Sequence, residues 1–212
     1  MNIDDQREYW NRVADIKTFT HSINFHVFEN VVNTDSRILD YGCGYGRIVK
    51  QLLDLGFSNV IGVDTSRELI NRGKRSSDLP IYCIDNPVEI PVENNSVDCI
   101  LLFAVLTCIP SNKGQTELIK ILHSKLIDGG VLYISDYYLQ PSSDEVNRYN
   151  YLNDEEDNYG VFTLPEGAIF RHHTREWIQN LVSDFSIVFE NKIEVKTMNG
   201  STAEAFQLLL RK

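Results

Sequence analysis

Ile38-Leu39-Asp40-Tyr41-Gly42-Cys43-Gly44-Tyr45-Gly46 is the stretch whose reading decides the fold. An apolar run closes on an aspartate, meets glycine at three alternate positions, and gives way to Ile48, Val49, Leu52, Leu53 and Leu55, which recur at helical spacing and stop at Gly56. A strand therefore turns through glycines directly into a helix. Glycine is needed where the chain turns sharply and lets a ligand approach a backbone that any Cβ would obstruct. The ligand is expected at the helix N-terminus, beside free N–H groups.

The spacing narrows the ligand. In the G-x-G-x-x-G fingerprint of nicotinamide and flavin sites the third glycine comes one residue later, at the position Arg47 holds here. A pyrophosphate cradle is disfavoured, and a ligand with an amino-acid tail fits better, because Asp40 offers a negative charge to an ammonium group. The next apolar run, Asn59-Val60-Ile61-Gly62-Val63-Asp64, ends on an acidic residue placed to accept ribose hydroxyls, and Asp64, Thr65 and Ser66 are also capping residues for a following helix. A third run ends at Ile84-Asp85-Asn86, where an aspartate suits the exocyclic amine of adenine.

In this order the residues resemble the class I S-adenosylmethionine-dependent methyltransferase family, with its D/E-x-G-x-G-x-G loop at Asp40–Gly46 and acidic residues ending the second and third strands at Asp64 and Asp85. Two further segments are similar to the family's approaches to strands four and five: Asn94–Ile100 and Leu126–Leu132, the latter with Asp128 where proline is usual. The resemblance covers roughly Ile38 to Asp136. It implies S-adenosyl-L-methionine as cofactor and S-adenosyl-L-homocysteine as product. Gly42, Gly44, Gly46 and Thr65 would face the cofactor, Asp40 its amino-acid end, Asp64 its ribose, and Asp85 and Asn86 its adenine. Phe103 and Ala104 would lie near the transferred methyl.

Working outward, strands are expected at Arg37–Tyr41, Asn59–Asp64, Ile81–Ile84, Val97–Phe103 and Val131–Asp136, alternating with helices. After a helix near Thr174–Val182, Phe185–Val195 and Ala203–Leu210 read as an antiparallel pair. The expected fold is a Rossmann-like α/β three-layer sandwich on a mostly parallel seven-stranded sheet. One domain spans 1–212: a helical N-terminal cap (1–32), a cofactor-binding core (37–138), a lid-like, Tyr-rich insertion (139–171) with the acidic run Asp154–Asp157, and a C-terminal helix and strands (172–212).

A chain of 212 residues builds one core. Its net charge of −10 argues against a nucleic-acid partner, and the nearest basic cluster, Arg72, Lys74 and Arg75, reads as a solvated helix end. No signal peptide or membrane span is visible, and Cys43, Cys83, Cys99 and Cys108 lie unpaired in apolar segments, as reduced thiols do, so a cytoplasmic location is expected. Oligomeric state is not legible.

The acceptor side gives weaker signals. Tyr9, Trp10, Phe19, Tyr149 and Phe170, with Tyr151, are expected to wall a pocket for a small, partly apolar acceptor. His21, His172 and His173 are the candidates for a general base, and adjacent side chains at 172 and 173 should point apart. No metal site is expected, because no third ligand stands at suitable spacing. Cys108 lacks the surroundings of a methyltransferase nucleophile, and His123 is expected to pack or to offset a helix dipole. The leading expectation is methyl transfer to a small molecule. Protein-directed methylation, a nicotinamide oxidoreductase and a non-enzymatic binding module are the alternatives.

Overall fold

The computed structural model of the protein describes residues 6–141, 149 and 159–212. Tyr151 and the acidic run Asp154–Asp157 lie outside the described residues. The chain begins with helix α1 (Arg7–Val13) and the single turn α2 (Phe25–Phe28). Strand β1 (Arg37–Tyr41), helix α3 (Arg47–Asp54), β2 (Asn59–Asp64), α4 (Arg67–Ser76), β3 (Ile81–Cys83) and β4 (Val97–Phe103) follow in strict alternation up to β3. A 3₁₀ turn (Leu106–Cys108) leads to α5 (Asn112–Lys125) and β5 (Leu126–Tyr137). A hairpin, β6 (Val161–Thr163) and β7 (Ile169–Arg171), then α6 (Arg175–Leu181), β8 (Ser186–Lys196) and β9 (Thr202–Arg211) complete it.

The seven-stranded sheet runs β3-β2-β1-β4-β5-β9-β8. β1 pairs in parallel with β2 and β4, β2 with β3, and β4 with β5, whereas β9 runs antiparallel to β5 and β8. The order reverses at β1, and this is where an open α/β sheet offers a crevice beyond its strand ends. Both faces are dry. Ile38, Leu101 and Tyr133 pack into a cluster with Phe28, Val49 and Leu52, while Leu39, Leu102 and Ile134 pack on the other face with Leu118, Leu122 and Ile178. Period-two alternation thus sends successive side chains into two different apolar layers, which is why these strands read as continuous apolar runs.

Helix starts follow from capping chemistry. Ser66, Ser111 and Thr174 each accept the N–H three residues ahead, from Leu69, Gly114 and Trp177. β5 is longer than its apolar run predicts. It starts at Leu126 opposite Val97, and an irregularity over Ile127–Gly130 brings Val131 opposite Cys99.

Two readings are corrected. Met1–Val32 is not one helical extension among its described residues: 14–24 form a non-helical strap between α1 and α2. The core's side chains, in place of helical partners, satisfy its backbone. Arg72 donates to the carbonyls of Ala14 and Lys17, Arg47 to that of His21 and Gln207 to that of Ser22, while Tyr45 and Tyr133 accept the N–H groups of Phe19 and Asn24. Arg72 is consequently no solvated helix end, and its guanidinium also lies 4.0 Å from the Tyr45 ring centroid. The β6–β7 hairpin inside the insertion was not foreseen, although Leu164-Pro165-Glu166-Gly167 is a turn sequence and Gly167 adopts φ +91°. No described helix is long and apolar enough to cross a membrane.

Candidate functional site

A cavity of about 460 Å³ opens beyond the C-terminal ends of β1, β2, β4 and β5. Its floor is the end of β1 and the start of the glycine loop, Asp40 to Cys43. Gly42, Gly44 and Gly46 all have positive φ, at +74°, +56° and +76°. Gly46, in the left-handed region, is the N-cap of α3. A Cβ at Gly42 would come within 2.4 Å of Val105, and one at Gly44 within 2.3 Å of the Phe19 ring, which lies across it and stacks on Tyr45 with centroids 5.1 Å apart.

Asp64 ties the loop to β2. One of its oxygens accepts the Gly44 N–H at 2.8 Å and the other the Ser66 N–H at 2.8 Å. Burial raises its pKa, and these backbone bonds partly offset the effect. Asp40 is fully buried without comparable support. Desolvation pushes its pKa up to about 7, opposed by Arg47, and its Oδ2 has no hydrogen-bond partner among the described residues.

Asp40, Gly42, Asp64, Thr65, Phe103 and Ala104 line the cavity. Gly44 and Gly46 do not, and shape it through the backbone instead. Nor are Asp85 and Asn86 brought to it, a departure from the adenine-wall expectation. Asp85 is exposed, faces Arg67 at 3.5 Å and receives Arg7 on its carbonyl, while Asn86 is spent on its own turn, accepting from Val88 N and donating to Glu89. Ile84 and Pro87 line that wall in their place, and the Tyr41 hydroxyl holds the Pro87 carbonyl at 2.8 Å.

Ala104 adopts φ +54°, rare for a residue with a Cβ, with its N–H held by the Ser135 carbonyl at 2.8 Å. It turns the chain off β4 into the 3₁₀ segment. The buried Asp136 carboxylate fixes that segment by accepting the Thr107 N–H, and burial lifts the Asp136 pKa to about 7. Cys108, which follows, lines the cavity, but burial drives its thiol well above the ordinary range. It is an inert wall.

The three histidines separate. His21 and His172 line the cavity, whereas His173 turns behind β5, 3.0 Å from the Tyr137 carbonyl and 2.9 Å from Gln115 Nε2. Burial lowers His173 to about pKa 3, so it is a structural, neutral imidazole. His21 is lowered to about 4 by burial and then by Arg47, and its Nδ1 is 2.8 Å from Ser135 Oγ. His172 Nδ1 is 2.7 Å from the Tyr149 hydroxyl. His123 packs edge-on against Phe185, away from the cavity.

Trp10, Phe19 and Phe170 reach the cavity, while Tyr9 and Tyr149 stand behind them. Tyr9 meets Trp10 and Phe170 edge-on, and burial and Glu166 raise its phenol to about 12. Sequence reasoning assigned no role to Arg47, Phe162, Tyr137 or the β8–β9 turn around Met198, all of which line the cavity. For Arg47 a signal existed, since it immediately follows the glycine loop. The others arrive only through tertiary contacts. Among the described residues no group of three His, Cys, Asp or Glu side chains could hold a metal.

A family model described as a methyltransferase domain matches residues 15–183. An uncharacterized protein of Methanocaldococcus jannaschii is 27% identical over 186 residues, 81% of each chain. The crystal structure of a SAM-dependent methyltransferase from Methanosarcina mazei superposes with a TM-score of 0.76 at 25% identity, over 88% of this chain and 96% of that one. A Burkholderia thailandensis 1,6-didemethyltoxoflavin-N1-methyltransferase, solved with bound 1,6-didemethyltoxoflavin and S-adenosylhomocysteine, shares the fold at 18% identity and a TM-score of 0.62, over 88% of this chain and 75% of that one.

Proposed function

The chain belongs to the methyltransferase-domain family and is an S-adenosylmethionine-dependent methyltransferase; from that premise we propose that its acceptor is a small, partly apolar molecule, methylated in the chamber above the glycine loop. The residues present fit the cofactor. A buried carboxylate with an unpartnered oxygen, Asp40, suits an ammonium group, Asp64 at the end of β2 suits ribose, and a glycine backbone lies between them. Ile84, Pro87 and Leu69 supply apolar surface for a base. When bound, S-adenosylmethionine supplies an activated methyl group.

The observation that carries the small-acceptor reading is the chamber itself. About 460 Å³ must serve donor and acceptor together, and sites of roughly 300–1,000 Å³ ordinarily enclose one drug-sized ligand. The wall facing the glycine loop is aromatic: Trp10, Phe19, Phe162 and Phe170, with Tyr137 at the end of β5. Such rings suit a flat, weakly polar guest.

What these residues do chemically is position and dry the acceptor. Alignment of reacting atoms contributes up to about 7–11 kcal/mol, against ~10²–10⁴-fold for a general base. His21, held near pKa 4, is neutral at pH 7 and a weak proton acceptor. His172, set by Tyr149, adds a protic group to the aromatic wall. The reading is tested by following S-adenosylhomocysteine release from the purified protein with a panel of small aromatic and heteroaromatic hydroxyls, amines and thiols beside peptide and protein acceptors. Turnover confined to peptides or proteins would overturn it.

A further inference from the structure

The cavity carries fixed charge on one side only. Asp40, Arg47 and Asp64 are the only Asp, Glu, Lys or Arg side chains among its described lining residues, and all three adjoin the glycine loop. The aromatic side has none: Lys17 and Glu166 pair with each other at 3.1 Å and do not line it. An ion buried against that side is far costlier than a neutral molecule of the same shape, because no opposite fixed charge offsets its lost hydration.

One imidazole nitrogen on that side lacks a partner. His21 is only 3% exposed, and among the described residues its Nε2 accepts or donates no hydrogen bond. The ring is held at the end of β5: Nδ1 lies 2.8 Å from Ser135 Oγ, and Tyr137, two residues further on the same face, meets it edge-on with centroids 4.7 Å apart. β4 separates β5 from β1, so two strand spacings, roughly 10 Å, lie between the strand end that holds this ring and the one that carries Asp40. Arg47 reaches His21 at its backbone carbonyl. The tautomer follows from Ser135. When the hydroxyl donates to Nδ1 the proton rests on Nε2, whereas the other tautomer strands both the Nε2 lone pair and the hydroxyl hydrogen. Burial, then Arg47, holds the imidazole near pKa 4, so at pH 7 it is an uncharged donor. A buried donor is costly to leave unpaired, and its partner must arrive with a ligand.

We propose that the acceptor is an uncharged, flat molecule bearing a carbonyl oxygen or an unprotonated ring nitrogen, and that His21 determines this choice by donating its Nε2–H to that atom. Ser135 is the positioning residue that keeps the proton on Nε2. The inference rests on the small-acceptor reading above and reassigns His21 from candidate base to recognition of the acceptor. An analogue without the accepting atom leaves the donor unpaired, and a charged analogue loses its hydration without compensation.

The test is isothermal titration of S-adenosylhomocysteine-saturated protein at pH 7 with four probes: chromone, 2H-chromene, which lacks its carbonyl, the anion chromone-2-carboxylate and the cation tryptamine. Wild-type protein is expected to bind chromone about 5–10-fold more tightly than 2H-chromene, the scale of one neutral hydrogen bond, and about 30-fold or more above either ion. His21→Phe, which keeps a ring against Tyr137, should bring chromone and 2H-chromene within about twofold. Ser135→Ala should narrow the gap, and His21→Gln, which keeps a donor, should retain part of it. Affinity for S-adenosylhomocysteine should stay within about twofold throughout, reporting an intact fold and cofactor site. The proposal is overturned if chromone does not bind, if either ion binds as tightly, if His21→Phe leaves the chromone preference unchanged, or if the variants act by weakening S-adenosylhomocysteine. Wild-type protein that fails to bind S-adenosylhomocysteine, or that turns over peptides or proteins alone, would instead bring down the reading on which this one rests.

Discussion

The two walls of the cavity are built in opposite ways. The glycine-loop wall comes from strand ends adjacent in the sheet, and its chemistry is carried by backbone groups and two carboxylates, the buried Asp40 and the half-buried Asp64. The opposite wall gathers Trp10, Phe19, Phe162, Phe170 and the β8–β9 turn, segments more than a hundred residues apart, and its chemistry is carried by rings. Buried charge and fixed backbone tolerate little change, whereas aromatic packing tolerates substitution of similar volume. The first wall should therefore set cofactor affinity, and the second acceptor choice.

The largest effect that would sharpen this contrast is expected for Asp64→Ala. It removes a carboxylate bound to two backbone N–H groups and facing the ligand, and should weaken S-adenosylhomocysteine binding by about 100-fold or more in a calorimetric titration. Next comes a pair of glycines. Gly44→Ala forces a Cβ against Phe19 and strains φ +56°, and should lower unfolding free energy by roughly 2–3 kcal/mol, against about 1 kcal/mol for Gly56→Ala, where φ is +91° but an added Cβ meets none of the described residues beyond its chain neighbours within 4 Å. Equal losses by denaturant titration would mean that the strap does not rest on the loop.

A smaller effect follows from Asp40. With a pKa near 7 in the unliganded protein it ionises between pH 6 and 8, and an ammonium ligand favours the ionised form, so affinity should rise about tenfold over that interval. Asp40→Asn should flatten the rise. For stability the sign is opposite: a carboxyl whose folded pKa lies above its ordinary value favours the folded state at low pH, and that contribution fades as pH climbs through 7. The smallest effect is expected for Phe170→Leu, a ring of the aromatic wall packed on Tyr9 and Phe162. S-adenosylhomocysteine affinity should stay within about twofold, with about 1–2 kcal/mol lost from unfolding free energy. A large fall in cofactor affinity would break the division between the walls.

Legibility in the sequence follows the same division. Arg37–Tyr41, Asn59–Asp64 and Val97–Phe103 are strands at the limits their apolar runs predict, because strands buried on both faces declare themselves in continuous sequence. Asp40 and Asp64 could be placed because a strand end fixes its residue relative to the cavity. Asp85 stands just beyond such an end, and there two arginines from other segments, Arg7 and Arg67, hold it outward. No local pattern records their approach.

The sequence alone determined the sheet, its closing antiparallel pair, the turn conformation of the glycine loop and the acidic residues around it, since each depends on neighbours within a few positions. Tertiary structure alone decided that residues 14–24 form a strap and not a helix, that His21 enters the cavity while His173 leaves it, and which rings meet above the loop. Those outcomes rest on hydrogen bonds and packing between distant segments. Their free energy exists only once the core has brought the segments together.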